Sequence, residues 1–204
     1  MSQISFFILL LFGVLSTSAQ SVDNVILKGD YDAIDSIQIV EAYREAKDAV
    51  NLMYEAMNDI YLSKDFVRRW QEEEGFVKWL GQPDKVRLVN RNIRKIKSKF
   101  DKKIIFNVTR QKKGRCSGWI SAWTIPFGKI RVTLCEDFFI YRTHLQEKTL
   151  IHEMGHEIGI LFHRKIHGCR AARRAVSFND NVAKRSTENY AWLAMSYKGL
   201  ECNH

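Results

Sequence analysis

Hydrophobic residues recur every three or four positions from Ala33 to about residue 60, with charged residues between them. This spacing is the period of an amphipathic α-helix, so the pattern predicts a long helix that buries one face. A second helix is predicted over residues 64–73. A third is predicted from Asp84, as its N-cap, to about residue 100, after the break at Gly81-Gln82-Pro83. The first hundred residues are therefore expected to be mainly helical.

The period of the hydrophobic positions changes after residue 100. Three short stretches are rich in β-branched and aromatic residues and are separated by turn residues, a pattern that predicts strands. They are Lys103–Arg110, Ser117–Ile125 and Lys129–Cys135. Helical spacing returns from about Thr143 to Ile158. The pattern thus places a small sheet between the N-terminal helices and a later helix.

The first 19 residues differ in composition from the rest of the chain. They contain no charged residue and hold the apolar run Phe6–Leu15, followed by small residues suited to cleavage. This composition predicts a signal peptide over residues 1–19 and a secreted, extracellular protein, although the usual basic residue is missing. We expect a short segment over residues 20–32 and one domain over residues 33–204, with no transmembrane segment. Asn107 lies in an N-glycosylation sequon, which matters only if the cell of origin glycosylates.

The chain is basic, with a formal net charge of +9. Basic residues are concentrated in Lys85–Arg115 and in His163–Arg174. Such stretches either bind a polyanion or form the solvated faces of ordinary amphipathic helices. We interpret them as solvated faces because apolar residues alternate with the charges, and keep weak polyanion binding as the alternative. The protein is expected to be a monomer.

The later predicted helix contains His152-Glu153-Met154-Gly155-His156, an H-E-x-x-H pattern. Because an α-helix turns about 100° per residue, the two histidines lie about 40° apart on one face. Two imidazoles in that arrangement can bind one zinc ion, and Glu153 can reach a water on the metal. We therefore predict one Zn²⁺ per chain, with His152 and His156 as ligands and Glu153 as general base.

Helices, a small sheet and an H-E-x-x-H helix, in this order, are typical of a zincin-like domain. The expected fold class is α+β, with N-terminal helices, a small and mostly antiparallel sheet, the H-E-x-x-H helix and a C-terminal helix. In such a domain an edge strand lines the cleft above the metal and can pair with an extended peptide. Ser117–Ile125 is the candidate for that strand.

Four segments together resemble the deuterolysin-type (aspzincin) zinc metalloendopeptidases. They are Phe76–Gly81, with its tryptophan, Val132–Phe139, Thr149–His156 and Glu188–Ala194, and they occur in the family's order. The resemblance covers roughly residues 33–202. It implies a zinc endopeptidase that acts on protein or peptide substrates.

The four cysteines of an exported chain suggest two disulfides. Cys116 and Cys135 fit a disulfide of the deuterolysin-type family. We predict that the second bond joins Cys169 to Cys202 and fixes the C-terminus to the loop after the H-E-x-x-H helix.

The third zinc ligand departs from the family pattern. The family usually supplies an aspartate shortly after the second histidine, but residues 159–169 contain no acidic residue. We predict His163 as the third ligand, which requires the helix to end near Gly159, because a straight helix would carry His163 about 10 Å away along its axis. The alternatives are His167 or an acidic residue, namely Asp180 or Glu188. His167 stands where the family has a tyrosine, so the resemblance implies that it stabilises the oxyanion.

A metzincin is the rival interpretation, because Gly159 matches the start of the H-x-x-G-x-x-H pattern. That pattern needs a histidine at position 162, where this chain has Phe162. The metzincin interpretation is therefore the weaker one.

Two functions of different classes remain. The first is a secreted zinc endopeptidase in which Glu153 activates water. The second is a catalytically weak or inactive relative that serves as a secreted binding protein, suggested by the missing aspartate and the basic surface. The intact Glu153 favours the enzyme, because a pure binding protein has no need of that base.

Overall fold

The computed structural model describes residues 24–125, 129–160 and 166–201. The predicted signal peptide, His163 and Cys202 lie outside these residues. The described helices are α1 (Ala33–Leu62), α2 (Phe66–Glu72), α3 (Glu74–Leu80), α4 (Val86–Phe100), α5 (Glu136–Ile140), α6 (Thr143–Glu157), α7 (Cys169–Ala183) and α8 (Thr187–Ser196). The described strands are β1 (Val25–Gly29), β2 (Ile104–Thr109), β3 (Ala122–Thr124) and β4 (Arg131–Cys135). No helix in these ranges is long and apolar enough to cross a membrane.

The four strands form one mixed sheet in the order β1-β2-β4-β3. Strands β1 and β4 both run parallel to β2, and only β3 pairs antiparallel, with β4. The α+β fold class is confirmed, but the prediction of a mostly antiparallel sheet is wrong. The reason is that the chain between β2 and β4 first forms β3 on the far side of β4, so that β4 enters the sheet in the direction of β2.

Helix α1 begins with a capping box, in which Asp32 accepts a hydrogen bond from the Asp35 N–H and Asp35 accepts one from the Asp32 N–H. Its apolar face is buried from Ile39 to Ile60, and the Tyr43 hydroxyl donates to the Phe100 carbonyl at 2.5 Å. This bond joins α1 to the end of α4, whose own apolar residues Val89, Ile93 and Ile96 are buried against it. The predicted long helix is confirmed, and so is its core face from Tyr43 to Ile60, whereas Ile37 near its start is 57% exposed.

Helices α3 and α8 lie against each other and each contributes a tryptophan to the contact. The rings of Trp79 in α3 and Trp192 in α8 stack with centroids 5.8 Å apart. The Asn189 side chain, also in α8, donates to the carbonyls of Trp79 at 2.7 Å and Ala172 at 2.9 Å. These contacts hold α8 between α3 and α7, with its first turn against α6.

Helix α6 has apolar residues buried on the core side, where Leu150, Ile151 and Met154 are inaccessible to solvent. Its other side faces α8. Gly155 allows this close packing, because a Cβ at that position would lie 2.6 Å from the Thr187 Cγ2. The H-E-x-x-H segment is therefore held between the core and the start of α8.

Candidate active site

His152 and His156 converge on one point. Their Nε2 atoms are 3.1 Å apart, and their rings are nearly perpendicular, with centroids 4.8 Å apart. The 3.6-residue period of α6 puts both side chains on one face, as the sequence predicts. The distance between the two nitrogens is short enough for one ion to contact both.

The Nδ1 atoms of the two histidines both face acceptors. His152 Nδ1 lies 2.7 Å from Glu188 Oε2, and His156 Nδ1 lies 3.0 Å from the Ile160 carbonyl oxygen. A carboxylate and a carbonyl can only accept, so each Nδ1 carries a proton, and a ring that is neutral then has its lone pair on Nε2. Two such lone pairs that face each other at 3.1 Å repel unless a proton or a metal ion lies between them. The two imidazoles therefore fit a zinc ion, a metal that such nitrogen ligands suit.

The turn after α6 positions the Ile160 carbonyl. Gly159 has a φ of +82°, a conformation that favours glycine, and the helix ends at Glu157. The Ile160 N–H donates to the Gly155 carbonyl at 3.1 Å and the Gly159 N–H to the His156 carbonyl at 2.9 Å, which is a Schellman turn. The chain therefore reverses at Gly159, and the helix end that the His163 assignment requires is present.

Glu188 is the most heavily hydrogen-bonded carboxylate of the site. Besides His152, it accepts from Lys148 Nζ at 2.8 Å, from the Gly168 N–H at 3.0 Å and from Trp192 Nε1 at 3.0 Å. Burial alone would raise the pKa of Glu188, but the His152 hydrogen bond and the Lys148 charge hold that pKa well below its usual range. Glu188 therefore orients His152 as an ionised acceptor.

Glu153 is buried beside the two histidines. Its Oε2 has no hydrogen-bond partner among the described residues, an unusual state for a buried polar atom. Burial raises the pKa of Glu153 to about 8, although the Lys148 charge and the Thr124 N–H act in the opposite direction. A divalent ion at the histidines would lower this pKa again. A buried, unsatisfied carboxyl at this place suits a group that handles a proton.

A cavity of about 370 Å³ is lined by His152, Glu153 and Glu188. Its walls also include the residues from Trp119 to Ser121 before β3, Ala122 at the start of β3, and Tyr141 before α6. Strand β3 is at the edge of the described sheet, so the predicted edge strand is in place. It is shorter than the Ser117–Ile125 prediction, because residues 117–119 form bends instead.

His167 lies at the wall of this cavity and is exposed. Its ring centroid is 6.4 Å from that of His152, with the ring planes 27° apart. Among the described residues no group of three or more His, Cys, Asp or Glu side chains is arranged to hold a metal. The third ligand therefore stays a prediction, and His163 lies outside the described residues.

Asp180 lies away from the two histidines. Its carboxylate accepts from the Gln82 N–H at 3.0 Å and from Lys184 Nζ at 2.8 Å.

The buried Lys184 also pairs with Asp84. Asp84 is therefore an ion-pair partner in a 3₁₀ turn, and the prediction of Asp84 as the N-cap of α4 is wrong, since Lys85 occupies that position.

A disulfide joins Cys116 to Cys135, with the Cα atoms 5.5 Å apart. It connects the segment before β3 to the end of β4. The bond from Cys169 to Cys202 stays a prediction, because Cys202 lies outside the described residues. Asn107 lies half-buried in β2, between two paired strands, and its glycosylation also stays a prediction.

Sequence reasoning missed three residues of the site. Lys148 is one helical turn before His152, a spacing that signals a shared face. Gly155 allows the close approach of α8, and Gly168 donates its backbone N–H to Glu188. Neither role can be recognised from a single sequence.

The described structure is similar to that of a zinc peptidase from Grifola frondosa, with a TM-score of 0.66 and 16% sequence identity. The match covers 84% of this chain and 100% of the peptidase chain. This chain has a zinc-peptidase fold. The zinc-peptidase fold agrees with the resemblance to the deuterolysin-type family. No protein-family model matches the sequence, and no curated protein sequence matches it.

Proposed function

We propose that this protein is a secreted zinc endopeptidase, with His152 and His156 as metal ligands and Glu153 as general base. The observation that carries the proposal is the pair of Nε2 atoms 3.1 Å apart, each made a lone-pair donor by the acceptor at its Nδ1. His163 is proposed as the third ligand. The zinc-peptidase fold supports the same reaction class.

When bound, zinc would supply a Lewis acid that makes water acidic enough to ionise near neutral pH. Glu153 takes the proton of the attacking water at its unsatisfied Oε2 and delivers it to the leaving amine. His167, exposed at the cavity wall, donates to the oxyanion that forms on the substrate carbonyl. Glu188 and the Ile160 carbonyl keep the two imidazoles in the neutral tautomer that binds the metal.

The substrate is proposed to be an extended polypeptide. Strand β3 is at the edge of the described sheet and lies beside the cavity, so the substrate backbone can extend the sheet there. The exposed Trp119 and Ile120 provide apolar contacts to its side chains.

The test compares Glu153→Gln with the wild type for zinc content and for cleavage of a mixed peptide library, with and without a chelator. Glu153→Gln deletes the base and spares both ligands, so zinc content should stay near one per chain while cleavage falls by at least about 10²-fold. Glu41→Gln, an exposed change in α1, is the matched control and should cleave normally. Undiminished cleavage by Glu153→Gln would refute the mechanism. Zinc binding without any cleavage by the wild type would favour a secreted binding protein instead.

A further inference from the structure

Helix α4 carries a row of four cations on its solvent-facing side. Arg87, Arg91, Arg94 and Lys95 follow one another at helical spacing, so they share one face. The row from Arg87 to Lys95 is about 12 Å long, at 1.5 Å per residue. The opposite face of α4 is buried in the core.

These four cations have no acidic partner among the described residues. The next two lysines of α4, by contrast, form ion pairs, Lys97 with Asp101 and Lys99 with Glu157. The cations line a cavity of about 450 Å³ together with Tyr61, Asn90 and Ser98, and no carboxylate is among the lining residues. The positive charge of this cavity is therefore uncompensated by the part of the chain that the structure describes.

Asn90 gives an independent indication of a ligand. Its side chain is only 6% exposed and lines the same cavity, and its buried Oδ1 accepts no hydrogen bond from any described residue. A buried amide without a partner is costly, by about 1–3 kcal/mol for each unsatisfied group. A rotation of 180° about the Cβ–Cγ bond exchanges the amide nitrogen and oxygen, so the amide can present its N–H groups to an anion. An ordinary solvated helix face has no such buried, unpaired amide.

We propose that this cavity binds the sulfate esters of an acidic polysaccharide. Guanidinium groups match the oxygens of a tetrahedral oxyanion in pairs, and the Asn90 amide adds a donor. A row about 12 Å long suits a chain that carries several such groups rather than a single ion. Among the described residues, Tyr61 is the one aromatic residue that lines the cavity. The cavity therefore lacks the several stacking surfaces that single-stranded nucleic acid uses.

The test measures the binding of a short heparin oligosaccharide to the full chain by titration calorimetry. The site variant is Arg91→Gln/Arg94→Gln. The matched control is Arg173→Gln/Arg174→Gln, which removes the same charge from two exposed arginines of α7 that also lack an ion pair in the described structure. Affinity should fall at least about tenfold in the site variant and less than about twofold in the control. The plot of log K against log salt concentration has a negative slope. Its magnitude should become smaller by about one to two in the site variant and stay unchanged in the control.

Asn90→Leu separates the buried amide from net charge, because it removes the amide and leaves the charge unchanged. It keeps about the size of the side chain, so heparin affinity should fall at least about tenfold through the loss of a hydrogen bond to a charged group, while thermal melting followed by circular dichroism verifies the fold. Equal losses in the site variant and the control would overturn the proposal, as would failure of the wild type to bind heparin. Tighter binding of single-stranded DNA than of heparin, dependent on the same arginines, would overturn the assignment of the ligand.

Discussion

Replacement of Gly155 by alanine should separate metal binding from stability. The new Cβ would lie 2.6 Å from the Thr187 Cγ2 and 3.1 Å from the Thr187 Cβ. Carbon atoms in contact are normally about 3.5–4.0 Å apart, so the start of α8 must move away by about 1 Å. Glu188 follows Thr187 and moves with it.

The displacement acts mainly on the hydrogen bond between His152 and Glu188. This bond is 2.7 Å long, and a shift of about 1 Å takes it beyond hydrogen-bonding distance. Loss of such support to a metal-binding histidine typically weakens metal affinity by about 10–100-fold. The cost in stability is smaller, because overpacking by about 1–3 kcal/mol is offset by up to about 1 kcal/mol of better helix propensity.

The assay is a zinc competition titration with a chromogenic chelator, beside urea unfolding of the metal-free protein. Gly155→Ala should lose about 10–100-fold in zinc affinity and at most about 2 kcal/mol in unfolding free energy. Gly75→Ala in α3 is a matched control, because its Cβ meets the far end of α8 at 3.1 Å and 3.3 Å. Addition of Thr187→Ala to Gly155→Ala removes the 2.6 Å contact and should restore part of the affinity. Wild-type affinity in Gly155→Ala, or no recovery in the double variant, would refute this account.

Three further predictions concern other residues. Burial raises the pKa of Asp180, but hydrogen bonds from a lysine and two backbone N–H groups outweigh burial and lower that pKa. The ionised Asp180 therefore stabilises the folded protein above about pH 4, and this stabilisation is lost as the pH falls further. Asp180→Asn should therefore flatten the acid limb of unfolding free energy against pH, and an unchanged limb would contradict this. His163→Ala should lose zinc while His167→Ala keeps zinc and loses turnover, and the opposite result in metal analysis would exchange the two roles. Peptide mapping without reduction should find the two predicted disulfides, whereas a bond between Cys135 and Cys169 would contradict them.

The sequence was most informative where a local period decides the structure. Helix α1, the H-E-x-x-H helix and the turn at Gly159 follow from spacing and from glycine conformation, which act within a few residues. Glu188 was recognised only through the resemblance of its segment to a known family.

Pairings between distant segments could not be predicted in the same way. Strand β1 is five residues long and joins the sheet by parallel pairing with β2, about 80 residues later, which no local pattern indicates. Asp84 is a good N-cap by local rules, but the buried Lys184 recruits it into an ion pair. The unpaired charges along α4 could be distinguished from the paired ones only when their neighbours were known.

The bonding of Glu188 also limits how this protein can evolve. One carboxylate accepts donors from α6, from α8 and from the Gly168 backbone. Aspartate would be shorter by one carbon–carbon bond, about 1.5 Å, and could not reach all of these donors at once. Glutamine would keep the length but bring an amide against donors that need an acceptor. A lineage could therefore replace Glu188 only together with changes in several segments, so this position should vary more slowly among its descendants than the exposed surface around it.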